Sequence, residues 1–335
     1  MYKFTTFLFV ISMTALISGC VTVGELKNQS MLRGFNVMQH ENMGWTEPQA
    51  RRSIKRMVRL GTNAAVLITF LEQDSFSSLE VRHSDAVTFE QLKSAIQYAH
   101  EFDLEIILKP QILVHNAWAS AISHKRQRDW NLWFESYSKH IVEYAEFAAK
   151  HKVQTFVIGT ELSKASRNVD WPKLIRKVRA VFPGKITYAA HNVEGVQAFQ
   201  YWQELDAVSL TLYPRLGKTG QYAEMQSYVQ QEVSKLQLAV QPIDLPLWVL
   251  EIGMPSAYGA SAKPWEWQSL KHARVDLNVQ QDAIDVWLRA LDQPWVNGVF
   301  IWAWYSDAAS GGANDTDYTP QNKPAEKIIR RYWKF

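Results

Sequence analysis

Two glutamates stand where apolar runs of the sequence stop. Glu161 follows a run over 153–158 and the turn Gly159-Thr160, and Glu251 lies near the end of a run over 247–252. A pair of carboxyl groups can cleave a glycosidic bond: one protonates the leaving oxygen while the other attacks the anomeric carbon or activates water, and a separation of about 5–5.5 Å means retention through a covalent intermediate. A lone glutamate at a strand end more often caps the next turn or pairs with a nearby lysine or arginine. Two of them, followed by the aromatic run Ile301-Trp302-Ala303-Trp304, favour the chemistry. Sugars also need flat apolar platforms. The 14 tryptophans offer candidates, although most, Trp248 and Trp287 among them, are expected to be core. The nine histidines form no H-E-x-x-H and no close His/Asp cluster, so neither a catalytic metal nor a cofactor is expected.

Something must bring the two carboxylates to one place. Short β-rich runs at 34–37, 65–70, 104–108, 153–158, 186–190, 207–212, 247–252 and 299–304 alternate with helical patterns at 47–60, 89–102, 130–150, 171–181, 222–238, 279–291 and 325–332. The fifth connection, 193–202, is the weakest. Eight strands each followed by a helix predict α/β architecture, a single (β/α)8 barrel closed by right-handed crossovers. The competing open doubly wound sheet usually carries a glycine-rich phosphate loop, and the sequence has neither G-x-G-x-x-G nor a P-loop.

In such barrels the chemistry sits at the C-terminal ends of the strands. There the runs end near Asn36, and on Lys109-Pro110-Gln111, Gly159-Thr160-Glu161, Ala190-His191-Asn192, Leu212-Tyr213-Pro214, Leu250-Glu251-Ile252 and Trp302-Ala303-Trp304. Strict alternation groups Glu161 with Gly159 and Val157, and Glu251 with Val249 and Leu247. With those faces inward, both glutamates project over one mouth, Gly159 leaves room below Glu161, and Phe156, Ile158, Trp248 and Leu250 pack under the helices. Lys125-Arg126-Gln127-Arg128 reads as a solvated helix start. Asp307, Asp315 and Asp317 fall in a loop that is either a mobile subsite wall or a plain exposed connection.

Composition bounds the rest. With 47% apolar and 21% charged residues the chain is globular rather than disordered, and 36 − 33 = +3 over 335 residues gives no field for nucleic acid. The one cysteine, Cys20, rules out an intrachain disulfide, a cysteine zinc site and a cysteine nucleophile in the body of the fold. An apolar run over 7–17 is too short for a membrane span and has the length of a signal-peptide core. It closes on Ile17-Ser18-Gly19-Cys20, which resembles a bacterial lipoprotein lipobox; an ordinary secretory peptide is the plainer alternative. The resemblance implies cleavage before Cys20 and lipid attachment to it, with Val21 favouring the outer membrane of a Gram-negative host. The expected organisation is a signal peptide (1–19), a tether (20–31) and the barrel (32–335), exported, anchored in the envelope and monomeric.

Short motifs spread from residue 33 to the end carry a second resemblance: R-G-F-N at 33–36, L-K-P-Q at 108–111, G-T-E-L at 159–162, L-Y-P at 212–214, E-I-G at 251–253, I-W-A-W at 301–304 and D-Y-T-P-Q-N-K-P-A-E at 317–326. Their order and spacing resemble the clan A retaining glycoside hydrolases, and within them family 113, whose known members are β-1,4-mannanases. The resemblance implies Glu161 as acid/base and Glu251 as nucleophile, with Tyr213 beside the nucleophile and Trp302 or Trp304 flooring the subsite of the reacting sugar. It makes Asn36, Lys109, Gln111 and His191 candidates for sugar hydroxyls. Many clan members have asparagine before the acid/base; Thr160 here is shorter, which bears on the 2-hydroxyl contact. It further implies an ionised Glu251 that raises the pKa of Glu161 by like-charge repulsion. The expected substrate is a β-linked mannan-type poly- or oligosaccharide. A different class, a non-catalytic carbohydrate-binding envelope lipoprotein on the same scaffold, is the rival reading.

Overall fold

The computed structural model describes residues 31–334. The expected signal peptide, Cys20 and all of the tether but residue 31 lie outside them.

The described residues form a closed barrel. In chain order the elements are β1 (Leu32–Met38), α1 (Ala50–Val58), β2 (Ala64–Gln73), β3 (Arg82–His83), α2 (Phe89–Glu101), β4 (Glu105–Val114), α3 (Gln127–Lys150), β5 (Thr155–Thr160) and α4 (Trp171–Val181). Then come β6 (Lys185–His191), α5 (Asn192–Ala198), β7 (Val208–Leu212), α6 (Tyr222–Val240), β8 (Leu247–Ile252), α7 (Trp267–Leu270), α8 (Leu277–Ala290), β9 (Gly298–Tyr305) and α9 (Ala325–Trp333). Eight parallel strands pair in the order β1-β9-β8-β7-β6-β5-β4-β2, and β2 pairs back to β1 to close the ring. The extra strand β3 runs antiparallel to the end of β2.

Local chemistry sets the helix boundaries. Thr88 and Gln91 form a capping box at the start of α2, Asp276 caps α8 through the amides of Asn278 and Val279, and Pro172 stands in the first turn of α4. The basic stretch behaves as expected: Arg126 precedes the first turn of α3, exposed and paired to Asp129.

Two apolar clusters divide the work. Ala64, Val66, Ile68, Ile107, Val157, Ala189, Ala207, Trp248, Leu250 and Phe300 fill the barrel, while a larger cluster, with Trp133, Trp171, Trp287 and Trp304, lies between strands and helices. Trp248 and Leu250 are therefore inside the barrel and Leu247 and Val249 outside, the reverse of the phase that strict alternation from Glu251 predicts.

Candidate active site

The phase reverses because β8 carries an extra residue. Leu210 pairs with Val249 and Thr211 with Glu251, so Leu250 is supernumerary. A bulge of this kind re-aims the side chain after it, and Glu251 turns inward beside Leu250. The amide of Asn36, wholly buried, donates to the Leu250 carbonyl at 2.7 Å. Asn36 thus ties β1 to the bulge and does not line the cavity, so the expected sugar contact is replaced by a structural one.

A second extra residue sits in β5, where Val157 pairs with Thr187 and Thr160 with Ala189. Gly159 consequently faces outward. A Cβ there would lie 2.9 Å from Trp171, so the glycine makes room for the helix layer and not for Glu161. Glu161 follows in the left-handed region at φ 56°, its N–H donating to the Ala189 carbonyl at 2.8 Å. That conformation costs a non-glycine residue about 1 kcal/mol or more, and it swings the carboxyl over the mouth.

The third extra residue is Ala303. Asn36 pairs with Trp302 and Val37 with Trp304. The bulge puts the two tryptophans on opposite faces. Trp302 is half-buried and lines the cavity. Trp304 is wholly buried in the helix layer, its indole N–H donating to Ser53 Oγ at 2.8 Å and its ring 5.0 Å from Phe35. Of the two candidates for the sugar floor, the structure removes Trp304.

Glu251 is held entirely by donors. The Lys109 ammonium and the Gln111 amide (3.3 Å) reach Oε1, and the Tyr213 hydroxyl donates to Oε2 at 2.8 Å. Burial pushes the carboxyl up, the Lys109 charge pulls it down and Glu161 pushes it up again, leaving it above the ordinary value. Donors on both oxygens suit the carboxylate form. Tyr213 stays a phenol: burial, then the Glu251 charge, drive it well above its usual pKa. Lys109 has no exposed surface and its ammonium lies 5.5 Å from the centre of the Trp302 ring. It is a buried counter-ion beneath the mouth, not the sugar contact expected of it.

Glu161 has its own donors. The Thr211 hydroxyl and His191 Nδ1 (3.3 Å) meet Oε1, and the Trp118 indole N–H meets Oε2. Burial pushes this carboxyl up, but the hydrogen bond and charge of His191, then Thr211 and Trp118, bring it below the ordinary value. His191 moves the other way: burial lowers it, Glu161 more than compensates, and it ends above 6.5. The directions are opposite to the expected raising of Glu161 by Glu251. His191 supplies the reason, because it places a cation 3.3 Å from Glu161. The opposite directions of the two groups favour the proton on the imidazole over the carboxyl.

Both carboxylates open on one cavity of about 1020 Å³, lined also by Gln111, Trp118, Thr160, Tyr213, Trp265, Trp302 and Tyr318. That is at the upper end of ordinary small-molecule sites, about 300–1000 Å³. The Thr160 hydroxyl is buried with no hydrogen-bond partner among the described residues. An adjoining cleft of about 440 Å³ shares Trp118, Tyr213 and Trp265 and adds His191, Arg215, Glu232 and Lys235.

The loop after β9 is not a plain exposed connection but part of the cavity wall, held by side-chain bonds. Asp317 accepts from the Tyr305 hydroxyl, Asp315 pairs with the buried Lys323, and Gln280 donates to the Tyr318 carbonyl at 2.9 Å. These bonds present the Tyr318 ring to the cavity, 6.1 Å from Tyr213. Trp118, Thr211, Trp265 and Tyr318 were not singled out by the sequence. Trp118 carried one usable sign: a large aromatic in the connection that follows the third parallel strand, on the side of the barrel where loops build sites.

Comparison with known proteins follows the same lines. The family model for Glycoside Hydrolase Family 113 matches residues 34–323. Among solved structures, a family 113 β-1,4-mannanase superposes with a TM-score of 0.80 at 26% identity, covering 91% of this chain and 99% of its own. The family 113 β-mannanase AaManA from Alicyclobacillus acidocaldarius, solved in complex with ManMIm, gives 0.80 at 23%, covering 91% and 98%. A family 5 mannosidase from Rhizomucor miehei shares the fold at 0.66 and 9% identity, covering 90% and 92%. No curated protein sequence matches significantly. With a match spanning nearly all of the described barrel, and with both strand-end glutamates inside it, the chain belongs to glycoside hydrolase family 113.

Proposed function

We propose that the protein hydrolyses β-linked mannan-type poly- or oligosaccharides with retention, Glu251 acting as nucleophile and Glu161 as acid/base. The observation that carries this reading is that two buried glutamates share one cavity but no partners: ammonium, amide and phenol donors around Glu251, imidazole, indole and hydroxyl donors around Glu161. The mannan-type substrate rests on what the family 113 structures are said to act on.

In the first step a Glu251 oxygen attacks the anomeric carbon and the bond to the leaving oxygen breaks. The proton of the Glu161–His191 pair goes to that oxygen through Glu161. In the second step water attacks the glycosyl ester, Glu161 accepts its proton and the Glu251 carboxylate is released. Trp302 lies under the reacting sugar, with Thr160 and Gln111 in the same wall. An envelope anchor at Cys20 belongs to the proposal too, resting on the lipobox-like sequence.

Azide distinguishes the two roles. Glu161→Ala should still attack an activated aryl β-manno-oligoside, and azide should speed release as the β-azide, from two inversions. Glu251→Ala should be inert alone and yield the α-azide with azide, from one. The opposite products would exchange the roles, and full activity of both variants on every β-glycoside would remove the mechanism.

A further inference from the structure

Far from any use in glycosyl transfer, two imidazoles and a carboxylate converge on the outside of the barrel. His140 and Glu143 lie three residues apart on one face of α3, and His83 reaches them from β3. One ligating atom of each lies within 4.8 Å of the others. His83 Nε2 is 2.8 Å and His140 Nδ1 3.8 Å from the same oxygen, Glu143 Oε2. Donors held tetrahedrally about 2.0–2.1 Å from a zinc-type ion stand about 3.4 Å apart, and the two separations bracket that value.

The remaining ring nitrogens are oriented from outside. The Tyr144 hydroxyl is 3.3 Å from the Phe70 carbonyl and 3.3 Å from His83 Nδ1. Donating to the carbonyl, it can accept from Nδ1–H, the tautomer that frees Nε2 for an ion in place of the 2.8 Å hydrogen bond between Nε2 and Glu143 Oε2. On His140 the Val81 carbonyl takes a hydrogen bond from the ring. Nδ1 itself is buried with no hydrogen-bond partner among the described residues, so the bond to Val81 comes from Nε2 and Nδ1 faces Glu143 bare. A cation among the three would replace the His83–Glu143 hydrogen bond and give the bare His140 Nδ1 a partner. Outer hydrogen bonds that fix tautomer and ring direction are the usual support of a histidine metal site.

We propose that His83, His140 and Glu143 form a binding site for one divalent transition-metal ion of zinc type, with water as fourth ligand on the side where Glu143 is exposed. The ion would clip the β2–β3 hairpin to α3. Sequence spacing concealed the cluster, since His83 and His140 are distant in the chain and only α3 carries two of the three.

The test uses chelator-stripped protein made without added histidines, with Co²⁺ as spectroscopic probe and Zn²⁺ by calorimetry. The expected result is one saturable ion per chain, a tetrahedral Co²⁺ spectrum and a melting temperature raised by Zn²⁺. His140→Ala and Glu143→Gln should weaken binding at least about 10- to 100-fold, the loss seen when only an outer partner is removed, and leave hydrolysis unchanged. Should His140→Ala fail to fold, the exposed Glu143→Gln decides alone. No stoichiometric binding by the unmodified chain, or equal binding by Glu143→Gln, overturns the proposal.

Discussion

Lys109, without exposed surface, donates to Glu251 Oε1 from inside the barrel. Each charge is what makes the other tolerable there: removing one partner of a buried pair leaves an uncompensated charge and costs about 3–5 kcal/mol. Lys109 lowers the pKa of Glu251, so its loss raises a value already above the ordinary one. A nucleophile must be ionised. Lys109→Met should therefore lose stability and move the acid limb of the kcat/KM profile to higher pH. An acid limb at the same pH as in the unmodified protein would show that Lys109 does not set the ionisation of Glu251.

The basic limb belongs to the pair of Glu161 with His191. His191 is raised by Glu161, so its proton is present below its unfolded pKa and is lost as pH rises through the higher folded one. In His191→Gln the last proton resides on a carboxyl instead. The basic limb should move to lower pH, with the fold intact. A profile unchanged on that side would remove His191 from the proton's path.

Trp302 and Trp304 should separate cleanly. Trp304→Ala empties a buried site and loses an indole bond to Ser53, so it should cost about 3–5 kcal/mol of stability. Trp302→Ala should leave the melting temperature nearly unchanged while raising KM and lowering kcat on manno-oligosaccharides. Thermal unfolding and steady-state kinetics on the two variants check this, and a reversed pattern would return Trp304 to the mouth.

Among the described residues no helix is long and apolar enough to cross a membrane. If lipid at Cys20 is the anchor, Cys20→Ser should shift the processed protein from the membrane to the soluble fraction. Unchanged fractionation with the signal still removed would rule out the lipid.

The strand runs and the two glutamates were legible because apolar runs and their polar ends are local patterns. Val157 faces inward and Phe156 and Ile158 the helices as expected, but the phase across each bulge was not legible, because one supernumerary residue in each of β5, β8 and β9 resets the alternation. That is why both glutamates reach the mouth although Gly159, Val249 and Leu247 face the helices, and why Trp302 and Trp304 part. Asn36 and Lys109 were read as strand ends, but β1 runs on to Met38 and β4 to Val114, and an apolar run that breaks at a polar residue does not say whether the strand ends there or the side chain meets a partner inside the barrel. Trp118 and Thr211 act through contacts 43 and 50 residues away in sequence, which no local period records.

The bulge at Leu250 sets melting temperature against turnover. A β8 with strict alternation would pair more evenly with β7 and β9, yet it would send Glu251 to the helix side with Leu247 and Val249. Engineering that selects variants of this barrel on thermal stability alone, or rebuilds it from an idealised template, would reward that regular strand and return a sturdier barrel that no longer processes sugar.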